Sequence, residues 1–149
     1  ATTEIYTLSL HDALPISVVQ KKNGFSYDSF YGAQLYGRVA YHAFEGITLF
    51  QEEKQRMIQH LADKHILVLR NHGIAVGESS IEKAFFLLWT VQRAAEIQCQ
   101  AGALGGEDFP LSEDVKQKCT DLTAMLITES GFATKFFVLL VRKMHESKK

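Results

Sequence analysis

"LVLRNHGIAVG", Leu67 to Gly77, is the stretch whose reading decides the fold. Apolar strand material running into Arg70 is interrupted by Asn71-His72-Gly73 and resumes as Ile74-Ala75-Val76. The pattern predicts a buried strand over 66–70, a turn, and a short antiparallel return. A histidine in such a turn is rigidly mounted yet uncovered by its neighbours, and a positive φ at Gly73 is expected to aim the imidazole out of the sheet. That placement suits a metal ligand or a general base, although a histidine in a hairpin turn is more often a turn residue and nothing else. A zinc site needs three or four ligands, and the chain contains no H-x-H, H-x-x-x-H or C-x-x-C pattern to supply them.

Upstream of this stretch, "GRVAYHAFEG", Gly37 to Gly46, offers a short strand around Arg38–Tyr41 with a polar exit through His42 and Glu45. "QEEKQRMIQHLADK", Gln51 to Lys64, places Met57, Ile58 and Leu61 on one face and Glu52 four residues before Arg56 on the other, as in an amphipathic surface helix. Downstream, Ser79 with Glu82 three positions on reads as a capping box. Ile81, Ala84, Phe85, Leu88, Val91, Ala95 and Cys99 then recur at helical spacing, and Gly102 and Gly105-Gly106 are expected to end that helix. A third helix is expected over 112–130 with Val115, Cys119, Leu122 and Met125 inward, and a fourth over 132–144 carrying Phe136, Phe137, Leu140 and Met144.

Strand, helix, hairpin and three helices, with no internal repeat, suggest helices covering a small sheet in the α/β or α+β class. Three strands are few for so many apolar helices, which points to missing sheet. The first seventeen residues join poorly to the rest, being neither periodic nor turn-like, and "EIYTLSLHDALPIS" looks like the translation of a sequencing-library adapter. Residues 1–17 are therefore expected to be a non-native or disordered segment, and 18–149 a partial domain whose natural sequence begins near Val18. An ordinary variable N-terminal arm is the alternative.

The length, 149 residues, suits one domain, and 46% hydrophobic with 22% charged residues is ordinary globular composition. Sixteen basic against seventeen acidic residues give a net charge of -1 with no charge block, which argues against a nucleic-acid or anionic-membrane surface. Cys99 and Cys119 are too few for a disulfide framework or a Cys-rich zinc site, so a reducing, cytoplasmic setting is the expectation. No run approaches about 20 apolar residues, and the opening residues lack the order of a signal peptide.

Other chemistry is weaker. Glu45, beside His42, could serve as a general acid or base, but a solvated loop carboxylate is the commoner case. His60 and His65 flank a helix-to-strand junction and are expected to cover its end; His11 belongs to the suspect segment and His145 to a fraying terminus. Trp89 and Phe85-Phe86 at helical spacing read as core or a subunit contact. "GALGG", Gly102 to Gly106, follows a helix instead of leading into one, so it is no phosphate loop. There is no G-x-S-x-G turn, and neither cysteine has the setting of an activated nucleophile.

Taken together, "YHAFEGITL", "ILVLRNHGIAVGESSIEKAFFLLWTVQRAAEIQCQA" and "GFATKFFVLLVRKMH" resemble the class II aldolase/adducin family over about 36–144. The resemblance implies a three-layer α/β/α sandwich around a mostly antiparallel sheet, here truncated at its N-terminus. It further implies a zinc-type divalent metal held by three histidines: an H-x-H pair in the N-terminal half and the histidine of the N-H-G turn, here His72. The metal of such enzymes acts as a Lewis acid in carbon-carbon bond cleavage through an enediolate. The H-x-H pair and the family's acid/base glutamate have no counterpart in this chain, so it carries one ligand of three and is expected to be inactive alone. The enzyme reading is thus an aldehyde-lyase acting on a small hydroxy-carbonyl compound, phosphorylated or not, or a decarboxylase or epimerase of the same fold. The other reading is a non-catalytic adducin-like head domain for oligomerisation and actin-cytoskeleton binding. A homotetramer is implied, with apolar residues of the later helices as an interface.

Overall fold

The computed structural model of the chain describes residues 6–10, 14–46 and 51–147. Its elements are β1 (Tyr6–Leu10), α1 (Leu14–Val19), α2 (Phe30–Ala33), β2 (Val39–His42), α3 (Gln51–Leu61), β3 (Ile66–Leu69), β4 (Gly73–Glu78), α4 (Ile81–Leu104), α5 (Glu113–Thr128) and α6 (Phe132–Glu146). The strands form one sheet in the order β1-β4-β3-β2. It is mixed: β4 is antiparallel to both β1 and β3, whereas β2 and β3 run parallel.

The strand at Ile66–Leu69 is inside the sheet because all four of its side chains are apolar and buried, as a strand covered on both faces requires. Alternation then separates the two faces. Ile66 and Val68 register with Val76 and Ile74, and this face packs on Val18 and Val19 of α1 and on Leu87, Val91, Ala94 and Ala95 of α4. Leu67 and Leu69 face the other way with Ala40 and are covered by Met57 and Leu61 of α3. The β2-α3-β3 crossover follows from parallel pairing, which needs an intervening helix to bring the chain back to the same end.

Several sequence expectations change. Tyr6–Leu10, inside the segment set apart as non-native or disordered, pairs with Ile74–Glu78, so disorder does not describe these residues; 1–5 and 11–13 lie outside the described residues. The helix cap is Ser80, one residue later than expected, its hydroxyl accepting from the Lys83 amide. Ile58 is 69% exposed, and Glu53 takes a place on the inward face of α3 instead.

The later helices change most. In α4 the fully covered positions include Phe86, Leu87, Thr90 and Ala94 beyond the expected stripe, because the helix is packed by the sheet on one side and by α6 on another. Gly102 lies within it, and Gly105 caps it. In α5 the expected inward residues Val115, Leu122 and Met125 are exposed, and Thr123 and Ile127 are buried. One polar contact holds the helix in this orientation: the Thr120 hydroxyl lies 3.1 Å from the carbonyl of Ala33 and 2.9 Å from that of Tyr36, while the buried Thr123 hydroxyl is satisfied within the helix by donating to the Cys119 carbonyl. Of the aromatic residues of α4, Phe86 is buried, Trp89 packs half-buried beside it, and both meet Phe136; Phe85 is half-buried and meets Phe137 edge-on.

Candidate metal centre

The carboxyl end of β2 and the β3-β4 turn lie at the same end of the sheet, since His42 registers with Leu69 in the parallel pair. The turn itself closes through the His72 amide donating to the Leu69 carbonyl at 3.0 Å. The left-handed residue is Asn71, with φ 57°, and Gly73 opens β4 with no positive φ. This corrects the expectation for Gly73: asparagine tolerates the left-handed region, so it, not the glycine, makes the turn. Arg70 anchors the approach. Its guanidinium lies 4.3 Å over the Tyr41 ring and donates to the carbonyls of Lys21 and Lys22. Gly24, with φ 66°, is packed so tightly on Tyr41 that a Cβ there would come within 2.3 Å of the phenol oxygen. His72 is half-buried, and its ring meets that of Phe44 edge-on at 6.2 Å.

The structure brings a second set of donors together at this end. His42, 2% exposed, ends β2 and points its Nε2 toward Glu45, 3.7 Å away, and Glu53, 3.8 Å away. Its other ring nitrogen lies 2.8 Å from Nδ1 of His60 in the last turn of α3. Glu45 is held by Arg56, whose side chain forms a two-pronged ion pair with it, and this holds the Glu45 carboxyl below the usual carboxylate range. Among the described residues, His42, Glu45 and Glu53 are the only group of three whose donor atoms all lie within 4.8 Å of one another, and His72 is not among them. The three-histidine centre therefore cannot be assembled from His72 and the other described residues: the residues present do not fit that group by themselves.

Sequence reasoning singled out His42 and Glu45 separately and missed Glu53. A signal existed: Glu53 shares a helical face with Met57, His60 and Leu61, at spacings of four, seven and eight, so an acid stood on the apolar stripe. His65, expected to cover a strand end, instead pairs with Glu78 at 3.2 Å, and Glu78 also meets Arg38 at 3.4 Å. A cleft of about 650 Å³ between Ser26, Asp28, Gln98 and Phe109 is lined by none of the residues discussed for metal binding.

Comparison with known proteins gives a consistent family. The profile described as Class II Aldolase and Adducin N-terminal domain matches residues 5–99. A Pseudomonas aeruginosa protein named for aldolase class 2 is 32% identical over 141 residues, covering 93% of this chain and 54% of its own length. Alpha-adducin of Rattus norvegicus is 43% identical over 86 residues, covering 55% of this chain and 12% of its own. Among solved structures, an aldolase II superfamily protein from Pseudomonas syringae superposes with a TM-score of 0.87 at 31% identity, covering 95% of this chain and 56% of that one. L-fuculose 1-phosphate aldolase from Glaciozyma antarctica superposes at 0.66 with 18% identity over 90% of this chain and 49% of that one, which speaks for the fold alone. The chain thus spans about half the length of the aldolase-type relatives it matches.

Proposed function

Because the chain belongs to the class II aldolase and adducin family, we propose that the intact protein is a divalent-metal-dependent, aldolase-like lyase acting on a small hydroxy-carbonyl compound. The observation that carries this reading is His72, presented on a closed turn at the sheet end that Arg70 and Tyr41 hold in place. A bound metal would supply Lewis-acid polarisation of a substrate carbonyl. What this chain contributes is the mount: a turn whose one left-handed residue is Asn71 keeps the imidazole in fixed relation to the strand ends. On this reading the 149-residue chain alone does not catalyse the reaction, since one imidazole cannot hold zinc specifically. The full-length gene product, purified without a histidine tag, should contain stoichiometric divalent metal and cleave or form a ketose phosphate or related aldol. A full-length protein with neither metal nor aldol activity refutes the proposal. Decarboxylation or epimerisation at the same centre would appear in the same assays as carbon dioxide release or stereoinversion without cleavage.

The local identity to alpha-adducin favours a second reading, a non-catalytic head domain that oligomerises and serves the actin cytoskeleton. The donor set of the intact protein discriminates: an H-x-H pair with a nearby glutamate supports the enzyme, and replaced ligands support the scaffold. We also propose a homotetramer in a cytoplasmic setting. The support is the exposed apolar set Leu122, Met125 and Leu126 on α5 and Leu139 and Met144 on α6, together with two unbridged cysteines.

A further inference from the structure

We infer that His42, Glu45 and Glu53 form a divalent-cation site of their own, separate from the centre to which His72 belongs. The chemistry around His42 calls for an occupant. One of the two Nδ1 atoms of His42 and His60 must donate to the other across 2.8 Å. If His42 donates, the lone pair of its Nε2 faces two carboxylates, which are acceptors only. If His60 donates, the Nε2 proton faces the same carboxylates across 3.7 and 3.8 Å, too far for a hydrogen bond. Either way Nε2 is a buried nitrogen with no hydrogen-bond partner, on a side chain 2% exposed.

A metal ion resolves this where protein groups do not. Ligands bound at about 2.0–2.1 Å in a tetrahedral shell lie about 3.3 Å apart, so Nε2 needs to approach each carboxylate oxygen by only about half an ångström, and the three donor atoms already lie within 4.8 Å of one another. His60 then accepts from the His42 Nδ1–H, fixing the tautomer that leaves Nε2 free to bind the metal, the outer contact that metal-bound histidines ordinarily have. One imidazole with two carboxylates suits zinc or manganese. The three protein donors leave coordination positions for water. Glu53 is the more buried of the two carboxylates, in the first turn of α3, and Glu45, nearer the surface, also binds Arg56.

The inference does not rest on the proposed lyase activity, and the test separates the two. Untagged chain, stripped with chelator, is titrated with zinc(II) and manganese(II) by calorimetry, and its thermal midpoint is followed with and without each metal. Expected are about one zinc per chain, a metal-dependent rise in midpoint, at least a tenfold loss of affinity in Glu53→Gln, a smaller loss in Glu45→Gln, and unchanged binding in His72→Ala. No binding by the wild-type chain, or binding lost in His72→Ala and kept in Glu53→Gln, overturns it. If Glu53→Gln fails to fold by circular dichroism, Glu45→Gln on the surface decides: weakened zinc binding supports the site and undiminished binding refutes it.

Discussion

The Nδ1 atoms of His42 and His60 stand 2.8 Å apart, tying the last residue of β2 to the last turn of α3. His42 is buried and His60 is exposed, so the bond carries the polarity of a strand end out to the surface. Removing the outer partner strands a buried ring nitrogen unless water replaces it. His60→Ala should cost about 1 kcal/mol, the lower part of the range for an orphaned polar group, because solvent can reach the vacated position. Urea denaturation of the two proteins measures this, and equal midpoints would show that the histidine pair adds nothing to stability.

Asn71 bears the left-handed backbone of the β3-β4 turn. Asn71→Gly should be near neutral, whereas Asn71→Val, β-branched and disfavoured at positive φ, should cost about 1–3 kcal/mol. Chemical denaturation of both variants checks the ordering; a valine variant as stable as the glycine variant would mean the turn had rearranged.

Gly24 combines a positive φ with contact against Tyr41. Gly24→Ala should therefore lower the thermal midpoint by several degrees, since a Cβ cannot fit without moving a phenol that also accepts from the Phe25 amide. Adding Tyr41→Phe, which removes the crowding oxygen, should recover part of that loss. No recovery would assign the cost to the ring carbons, which also lie within 2.6 Å of the added Cβ, and to backbone strain.

His65 and Glu78 predict a pH dependence. The hydrogen bond to Glu78 raises the His65 imidazole above its ordinary value despite burial. Burial pushes the Glu78 carboxyl up, but the hydrogen bond and charge of His65, with Arg38, bring it below the usual range. The raised histidine contributes fully below its unfolded value near 6.5, and that contribution fades as pH rises through the folded value. The lowered carboxylate contributes above its unfolded value near 4.3 and fades as pH falls. The stability lost in His65→Gln should be greatest near pH 5.5 and smaller at pH 8, reduced overall by the solvent exposure of His65. Thermal melts at the two values test it; an identical loss at both would refute it.

The exposed apolar residues of α5 and α6 bear on association. Leu122→Lys with Leu139→Lys should lower concentration-dependent self-association in sedimentation without lowering the unfolding midpoint, because both side chains are exposed, at 56% and 64%. Unchanged association would place any subunit contact elsewhere.

Local pattern was enough for much of this protein. An apolar tetrad at Ile66–Leu69, an Asn-His-Gly interruption and a returning strand determine a hairpin wherever they occur, because strand burial and turn chemistry are set by neighbours in sequence. The same holds for the existence of α3 through α6, whereas the left-handed residue of the His72 turn, expected at Gly73, is Asn71. What tertiary structure alone decided is which surfaces meet. The α5 helix has apolar residues on more than one face, and the Thr120 hydroxyl, set between the carbonyls of Ala33 and Tyr36 eighty-odd residues away, helps select the face that turns inward. The pairing of Tyr6–Leu10 with β4 likewise joins residues that share no local signal. Glu53 stood in the sequence as one acid among three in a surface-helix pattern; only the parallel crossover, which lays the first turn of α3 over the end of β2, places its carboxylate 3.8 Å from a buried histidine. Periodicity encodes the element and its preferred face, whereas a cluster of donors is a meeting of elements, and the physical reason it escapes sequence is that the packing which creates it acts between residues whose order along the chain does not record their distance.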